Sequence, residues 1–315
     1  MTLFSRSFVT STALVIAAVC AWLAYVAHSD PRSVVEKFYY RFALVSTKAD
    51  QLNDIINDGV NDSTFLASFI GRHLKANNAH LDDKQLDSPT LVELLKTYTE
   101  THLNNVIQVR LLDSKGFERI RFDTFGGIDI TQITGDRLQD KSNRDYFKVS
   151  ASSAKGLTTT SAIELNIENG VVEEPHRPTV RFTTPITINS KNIAHVVLNY
   201  DFQAILRKLT QEVPKGSRLI LANKDGSWVN APNFRDNWNR DLGNPEAIGL
   251  DQYSPTLFKD IQFSLPDDMH SATVDGKSLY MKNVRAPLTY NRGMSRDQIN
   301  DASREFYVGV MFPTL

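Results

Sequence analysis

The chain holds one cysteine, Cys20, so no disulfide can close within it. It has no HExxH, no GxSxG and no phosphate-binding glycine loop, and its seven histidines show no metal-ligand spacing. Those absences remove the common hydrolase, metalloprotease and nucleotide-binding sites. The chain is expected not to be an enzyme and to need neither cofactor nor metal. The acidic pairs Glu173-Glu174 and Asp267-Asp268 read as solvated loop charges rather than a catalytic pair. No lysine- or arginine-dense face stands out and the net charge is −1, which argues against a nucleic-acid partner. With 41% hydrophobic and 23% charged residues, the 315-residue chain is neither disordered nor polytopic, and it is long enough for two lobes.

Only one long apolar run is present. Phe8 to Ala27 carries no charge and is long enough, at about 1.5 Å per helical residue, to cross a hydrocarbon core. A cleaved signal peptide is the rival reading, but its apolar core is usually shorter, roughly 7–15 residues, and ends at a small-x-small site. Here Trp22 and Tyr25 occupy the positions that site would need, and both suit an interfacial belt. Residues 1–7, with Arg6, are expected inside, residues 8–28 as a membrane helix, and the bulk of the chain outside the plasma membrane.

Residues 29–105 should hold two helices. Val35, Phe38, Phe42, Val45, Ala49, Leu52 and Ile56 recur with heptad spacing. The stripe broadens through Val60, Phe65, Leu66, Phe69 and Ile70. Such a stripe suits a homodimer seam near the membrane and self-packing beyond it. Ser88-Pro89 opens the second helix. The period then changes to two. VIQVRLL, the turn Asp113 to Gly116 and ERIRFD form a hairpin with alternating polar and apolar residues. Leu138 to Ser153 reads as helix, Thr158 to Leu165 as a strand, and Asn166 to Pro178 as a long polar loop. Arg181–Ile188 and His195–Phe202 read as two long strands, and FQAILRKL as a helix leading out. A similar hairpin, helix and sheet follow from about Ser217, ending on Glu305 to Phe312. The fold class is α+β, a long helix followed by two tandem antiparallel-sheet lobes, residues 106–209 and 210–315.

The segments VIQVRLLDSKGFERIRFD, LQDKSNRDYF, SAIELNIENGVVEEPHRPTVRFTTPI and HVVLNYDF, in that order over about Asn104 to Leu209, carry a resemblance. They resemble the membrane-distal module of the double Cache (tandem PAS-like) sensor region of bacterial transmembrane receptors, found ahead of histidine-kinase, diguanylate-cyclase and chemoreceptor outputs. The second lobe fits that family by pattern only. The resemblance implies an extracytoplasmic receptor region with a ligand in the distal module and a proximal module coupled to the membrane. A kinase or cyclase output would lie beyond Leu315.

Greasy walls with a few convergent polar groups make a small-molecule pocket. Arg144 and Tyr146, followed along the chain by Tyr200 and Asp201, are the candidates, with Arg121 and Arg181 as further positive charge. The resemblance implies an Arg and aromatic residues near the pocket and an Asp on the last strand, which Arg144, Tyr146 and Asp201 match. Where a Trp is expected, Asp145, Tyr146 and Phe147 stand instead. Arg144 could clamp a carboxylate and Asp201 could receive an ammonium, so an amino acid or organic acid is the expected ligand. The plainer alternatives are an internal Arg144–Asp201 pair, a helix cap by Asp201, and surface salt bridges for Arg121 and Arg181. A periplasmic protein partner gripping the Asn166–Pro178 loop is the alternative function.

Overall fold

Heptad-spaced apolar residues make helix α1, which the computed structural model carries unbroken from Pro31 to Ala76. The structure describes residues 31–76, 85–153, 156–265, 268–285 and 305–313. The apolar run at Phe8–Ala27 lies outside them, and no described helix is long and apolar enough to cross a membrane. The chain divides at Leu44 and Val45 into two units, the second holding both sheets. In the first unit Val35, Phe38, Tyr39 and Phe42 are exposed, whereas in the second Val45, Leu52 and Ile56 are buried. Phe65 and Phe69 of the broadened stripe are exposed as well.

Helix α2 (Pro89–Thr101) precedes the first sheet. That sheet is built from β1 (Val106–Asp113), β2 (Glu118–Phe125), β3 (Asp129–Ile133), β4 (Thr159–Thr160), β5 (Glu164–Leu165), β8 (Pro178–Ile188) and β9 (Lys191–Asp201). The strand order is β3-β2-β1-β9-β8-β4, with β5 also on β8, and all pairs are antiparallel. Strands β6 (Ile167–Glu168) and β7 (Val171–Val172) form a separate two-stranded hairpin.

Side chains alternate across a sheet, so the register sorts them into two faces. The back face carries Val109, Leu111, Phe122, Val180, Phe182, Leu198 and Tyr200, all buried. Helices α1 and α2 are tied to it by hydroxyls. The hydroxyls of Ser63 and Thr184 hydrogen-bond at 2.7 Å, and Asp62 accepts from Tyr98 at 2.9 Å and Tyr200 at 2.7 Å. The front face carries Gln108, Arg110, Arg121, Asp123, Arg181 and Asn199. A register shift at Leu111/Leu112 brings Glu118 onto this same front face, although strict alternation would have set it opposite to Arg121.

Helix α3 (Asp145–Ser152) covers part of the front, with Tyr146 and Phe147 packed on Leu112 and Val197. Helix α4 (Phe202–Thr210) leaves β9 capped by Asp201 and is followed by the second sheet. Buried Lys48 of α1 donates to the carbonyl of Gln211, the C-cap of α4, at 2.7 Å. The second sheet runs β11 (Trp228–Asn230), β10 (Arg218–Asn223), β14 (Glu305–Phe312), β13 (Lys277–Arg285), β12 (Met269–Val274). Short helices α5 (Leu250–Tyr253) and α6 (Pro255–Gln262) cover it through Leu250, Leu257 and Ile261. Trp228 belongs to this core and meets Tyr253 edge-on at 5.9 Å.

The expected architecture is therefore present, with local corrections. The helix expected over Leu138–Ser153 starts only at Asp145, because the preceding backbone is used elsewhere. Lys141 N donates to Gly116 O at 2.9 Å, and Ser142 N to Asp140 Oδ1 at 2.8 Å. The strand expected over Thr158–Leu165 is two short pieces, and the polar loop after it contains the β6–β7 hairpin. Strand β3 was not anticipated.

Gly59 of α1 lies against the Phe182 ring so closely that a Cβ would overlap it. Alanine normally favours a helix over glycine by about 1 kcal/mol. At this position Gly59→Ala should instead destabilise by about 1–3 kcal/mol, the range for overpacking. Urea unfolding checks the sign, and a stabilised Ala variant would mean that helix and strand do not meet here.

Candidate functional site

The front face of the first sheet is polar and buried, which is costly unless each charge is answered. Arg110 and Arg181 are each 1% exposed and Arg121 5%. Arg121 forms a two-pronged pair with Asp123, both contacts at 2.7 Å. Arg110 meets Glu118 at 2.9 Å. Gln108 accepts from both Arg110 and Asn199, the latter at 2.7 Å. The expectation that Arg121 and Arg181 form surface salt bridges is corrected: α3 and the β6–β7 hairpin cover this face, so their pairs are internal.

Glu168, on β6, reaches into this group. Its Oε1 accepts from Gln108 at 2.8 Å, Arg110 at 3.1 Å and Asn166 at 3.1 Å. Its Oε2 accepts from Gln139 at 2.8 Å and Arg121 at 3.1 Å, with Lys141 Nζ at 3.5 Å. Burial alone would raise its pKa, but Arg110, Arg121 and Lys141 hold the carboxyl well below the usual range. Burial and the neighbouring Arg110 lower Lys141 to about 8.

Arg181 extends the cluster across β8. It donates to Glu164 at 2.6 Å and Asn166 at 2.9 Å, and its guanidinium lies 5.3 Å from the centre of the Tyr146 ring. Arg144 approaches the same Glu164 oxygen at 3.5 Å. The Tyr146 hydroxyl is buried and has no hydrogen-bond partner among the described residues. Beside these groups opens a cleft of about 380 Å³, lined by Gln139, Lys141, Arg144, Ile167, Asn169 and Gly170 among others.

The structure thus brings Arg144, Tyr146 and Arg181 together and sets Arg121 on the same face. Tyr200 does not join them, because it projects from the back face to Asp62. Asp201 is committed as the cap of α4, its Oδ1 accepting from Ala204 N at 3.0 Å. Arg110, Glu118, Lys141 and Glu168 were not anticipated as site residues. The Asn169-Gly170 pair, both at positive φ, is the one sequence signal that could have revealed the hairpin carrying Glu168.

Strand β5 joins the two lobes. The side chain of Glu164 serves the front-face cluster. Its neighbours bind the second lobe: Ile163 exchanges two hydrogen bonds of 2.9 Å with the Asn223 side chain, and Leu165 N donates to Asp241 at 3.3 Å.

A buried cluster of charge with a side cleft, mounted on the first of two antiparallel sheets behind a long helix, defines a receptor-type sensor region. The family model described as bacterial histidine kinase, sensor domain, matches residues 60–268, well over half of the chain, and the chain belongs to that family. The extracellular domain of the assigned histidine kinase vpHK1S-Z8 is similar, with a TM-score of 0.57 and 15% identity over 86% of this chain and 92% of that one. A domain of a sensory box/GGDEF family protein from Vibrio parahaemolyticus gives a TM-score of 0.57 and 15% identity over 82% and 97%. The ligand-binding domain of the Pseudomonas aeruginosa amino acid chemoreceptor PctB, in complex with L-Gln, gives 0.51 and 13% over 87% and 89%. A search of curated proteins by sequence finds no match. The double Cache architecture is the fold these similarities support.

Although Asp241 is exposed at the surface, partial desolvation of its carboxyl and the nearby Glu164 and Asp225 push its pKa up to about 6, against an ordinary value of 3.8. The folded chain then holds this proton more tightly than the unfolded one. The ionised form costs stability above about pH 6, and the cost is relieved as pH falls toward 4. The stability of the parent chain relative to Asp241→Asn should therefore rise between pH 7 and about pH 5 in urea titrations. A flat difference would mean that Asp241 titrates like a freely solvated aspartate.

Proposed function

We propose that the chain is the extracytoplasmic ligand-sensing region of a membrane-anchored bacterial receptor, and that a small amino or organic acid binds the front face of the first lobe. Residues 8–28 would anchor it, residues 106–209 would be the membrane-distal ligand module, and residues 210–315 the proximal module that passes the signal on. The carrying observation is the cleft lined by Lys141 and Arg144 beside the buried charges of the front face, where the Tyr146 hydroxyl, packed against Arg181, has no hydrogen-bond partner among the described residues. Among the described residues the Arg144 side chain has one ion-pair contact, at 3.5 Å, which makes it the cation there best placed to turn to a carboxylate. PctB, similar in fold, is described as an amino acid chemoreceptor and was captured with L-Gln, which favours the same ligand class.

Binding signals only if the ligand prefers one arrangement of the lobe over another. Strand β5 gives such a preference a route, because it carries Glu164 on one side and the bonds to Asn223 and Asp241 on the other. The exposed Val35, Phe38 and Phe42, at heptad spacing, support a homodimer seam near the membrane.

The test is calorimetry of the full chain in detergent against a panel of amino and organic acids. One class should bind, and Arg144→Ala should weaken it by at least about tenfold, the worth of one charge-assisted hydrogen bond. Tyr146→Phe should weaken it by less. Binding unchanged in Arg144→Ala would move the site elsewhere. Binding by none of these acids would contradict the ligand class.

A further inference from the structure

The β6–β7 hairpin is fastened to the lobe mainly through one carboxylate. Among the described residues its two strands pair only with each other. Its root is closed by backbone bonds from Asn166 N to Arg177 O and from Glu173 N to Asn166 O, each 2.9 Å. Its apolar residues anchor it weakly, since Val171 is 68% exposed and Ile167 and Val172 are only partly buried. Glu168 by contrast meets six donor groups, three on each oxygen.

The local charge explains why a carboxylate must be there. Without Glu168, the cations Arg110, Arg121 and Lys141 face only Glu118 and Asp123, three charges against two. One negative charge is missing, and the donors are arranged around two oxygens. Gln139 and Lys141 touch Glu168 and also line the open cleft, so solvent has a path to the place that Glu168 fills.

We propose that Arg110, Arg121 and Lys141 form a carboxylate-binding cage whose resident occupant is Glu168, and that a small soluble monocarboxylate entering through the cleft takes its place and frees the hairpin. This deepens the reading of the first lobe as the ligand module and rests on it. The tether sets the competition. A carboxylate held on the same chain acts at an effective concentration in the millimolar range, so the soluble ligand must outbind it. Removal of Glu168 removes the competitor and exposes an uncompensated cation.

Acetate is the probe, with chloride at matched ionic strength as control, on the full chain in detergent. Thermal melting of the parent chain should be the same in both salts. Glu168→Ala should melt lower in chloride and recover at least half of that loss in acetate. Calorimetry should give acetate at least roughly tenfold tighter binding to Glu168→Ala than to the parent. A folded Glu168→Ala, judged by circular dichroism, with no acetate dependence would overturn the cage. If that variant does not fold, Glu168→Gln keeps the size and loses the charge: acetate-specific stabilisation supports the proposal and its absence overturns it. The two readings fail separately. A parent chain that binds no amino or organic acid counts against the proposed function while leaving the acetate response of the variant intact. Ligand binding by the parent with an acetate-blind variant overturns the cage alone.

Discussion

A guanidinium placed under a β-sheet must meet an opposite charge within a few ångströms, and this requirement shapes the first lobe. The ionic desolvation cost is several kcal/mol per group, and only close, well-bonded partners offset it. Arg110, Arg121 and Arg181 sit on three different strands of one face, so the answering carboxylates come from the sheet itself, from strand β5 and from the β6–β7 hairpin. The bulge that turns Glu118 to the front and the hairpin that delivers Glu168 are both explained by this need.

The back face obeys a different rule. There Phe182 packs against Gly59 of helix α1, Leu198 and Val180 are buried, and polar contacts such as the two tyrosines on Asp62 tie the helices down. One side of the sheet is thus held by apolar burial and the other by charge. Ions respond to a competing ion far more than a greasy core does, so the front is the side at which a small polar ligand can act. Strand β5 shares that charge through Glu164 and hands its backbone to the second lobe. The charge at Glu164 and the bonds to Asn223 and Asp241 therefore lie on adjacent residues of one short segment.

Much of this fold was legible in the sequence, because periodicity is a strong signal in long elements. Helix α1, the β1–β2 hairpin, the long strands β8 and β9 and the second lobe's strands follow from spacing of apolar residues alone. The short pieces were not legible. Two-residue strands carry no period, and a bulge shifts the faces without any change in composition. The site was half legible for the same reason. Arg144, Tyr146, Arg121 and Arg181 do share one face. Asp201 stands at a strand-to-helix junction, where capping and ligand contact ask for the same residue, and the helix took it. Tyr200 is one residue out of phase with the front face. Glu168 sat in what read as a polar loop, although its Asn169-Gly170 turn marks a tight hairpin.

The most direct test of the account is the titration of one carboxyl group. With glutamate carbons labelled in the full chain, and Glu168→Gln used for assignment, the Glu168 signal can be followed by NMR as the pH is lowered. The account requires that it keep its ionised shift through the range near pH 4.3 where ordinary glutamates protonate. A Glu168 that titrates with the exposed glutamates would mean that Arg110, Arg121 and Lys141 do not enclose it, and the charged front face would lose its centre.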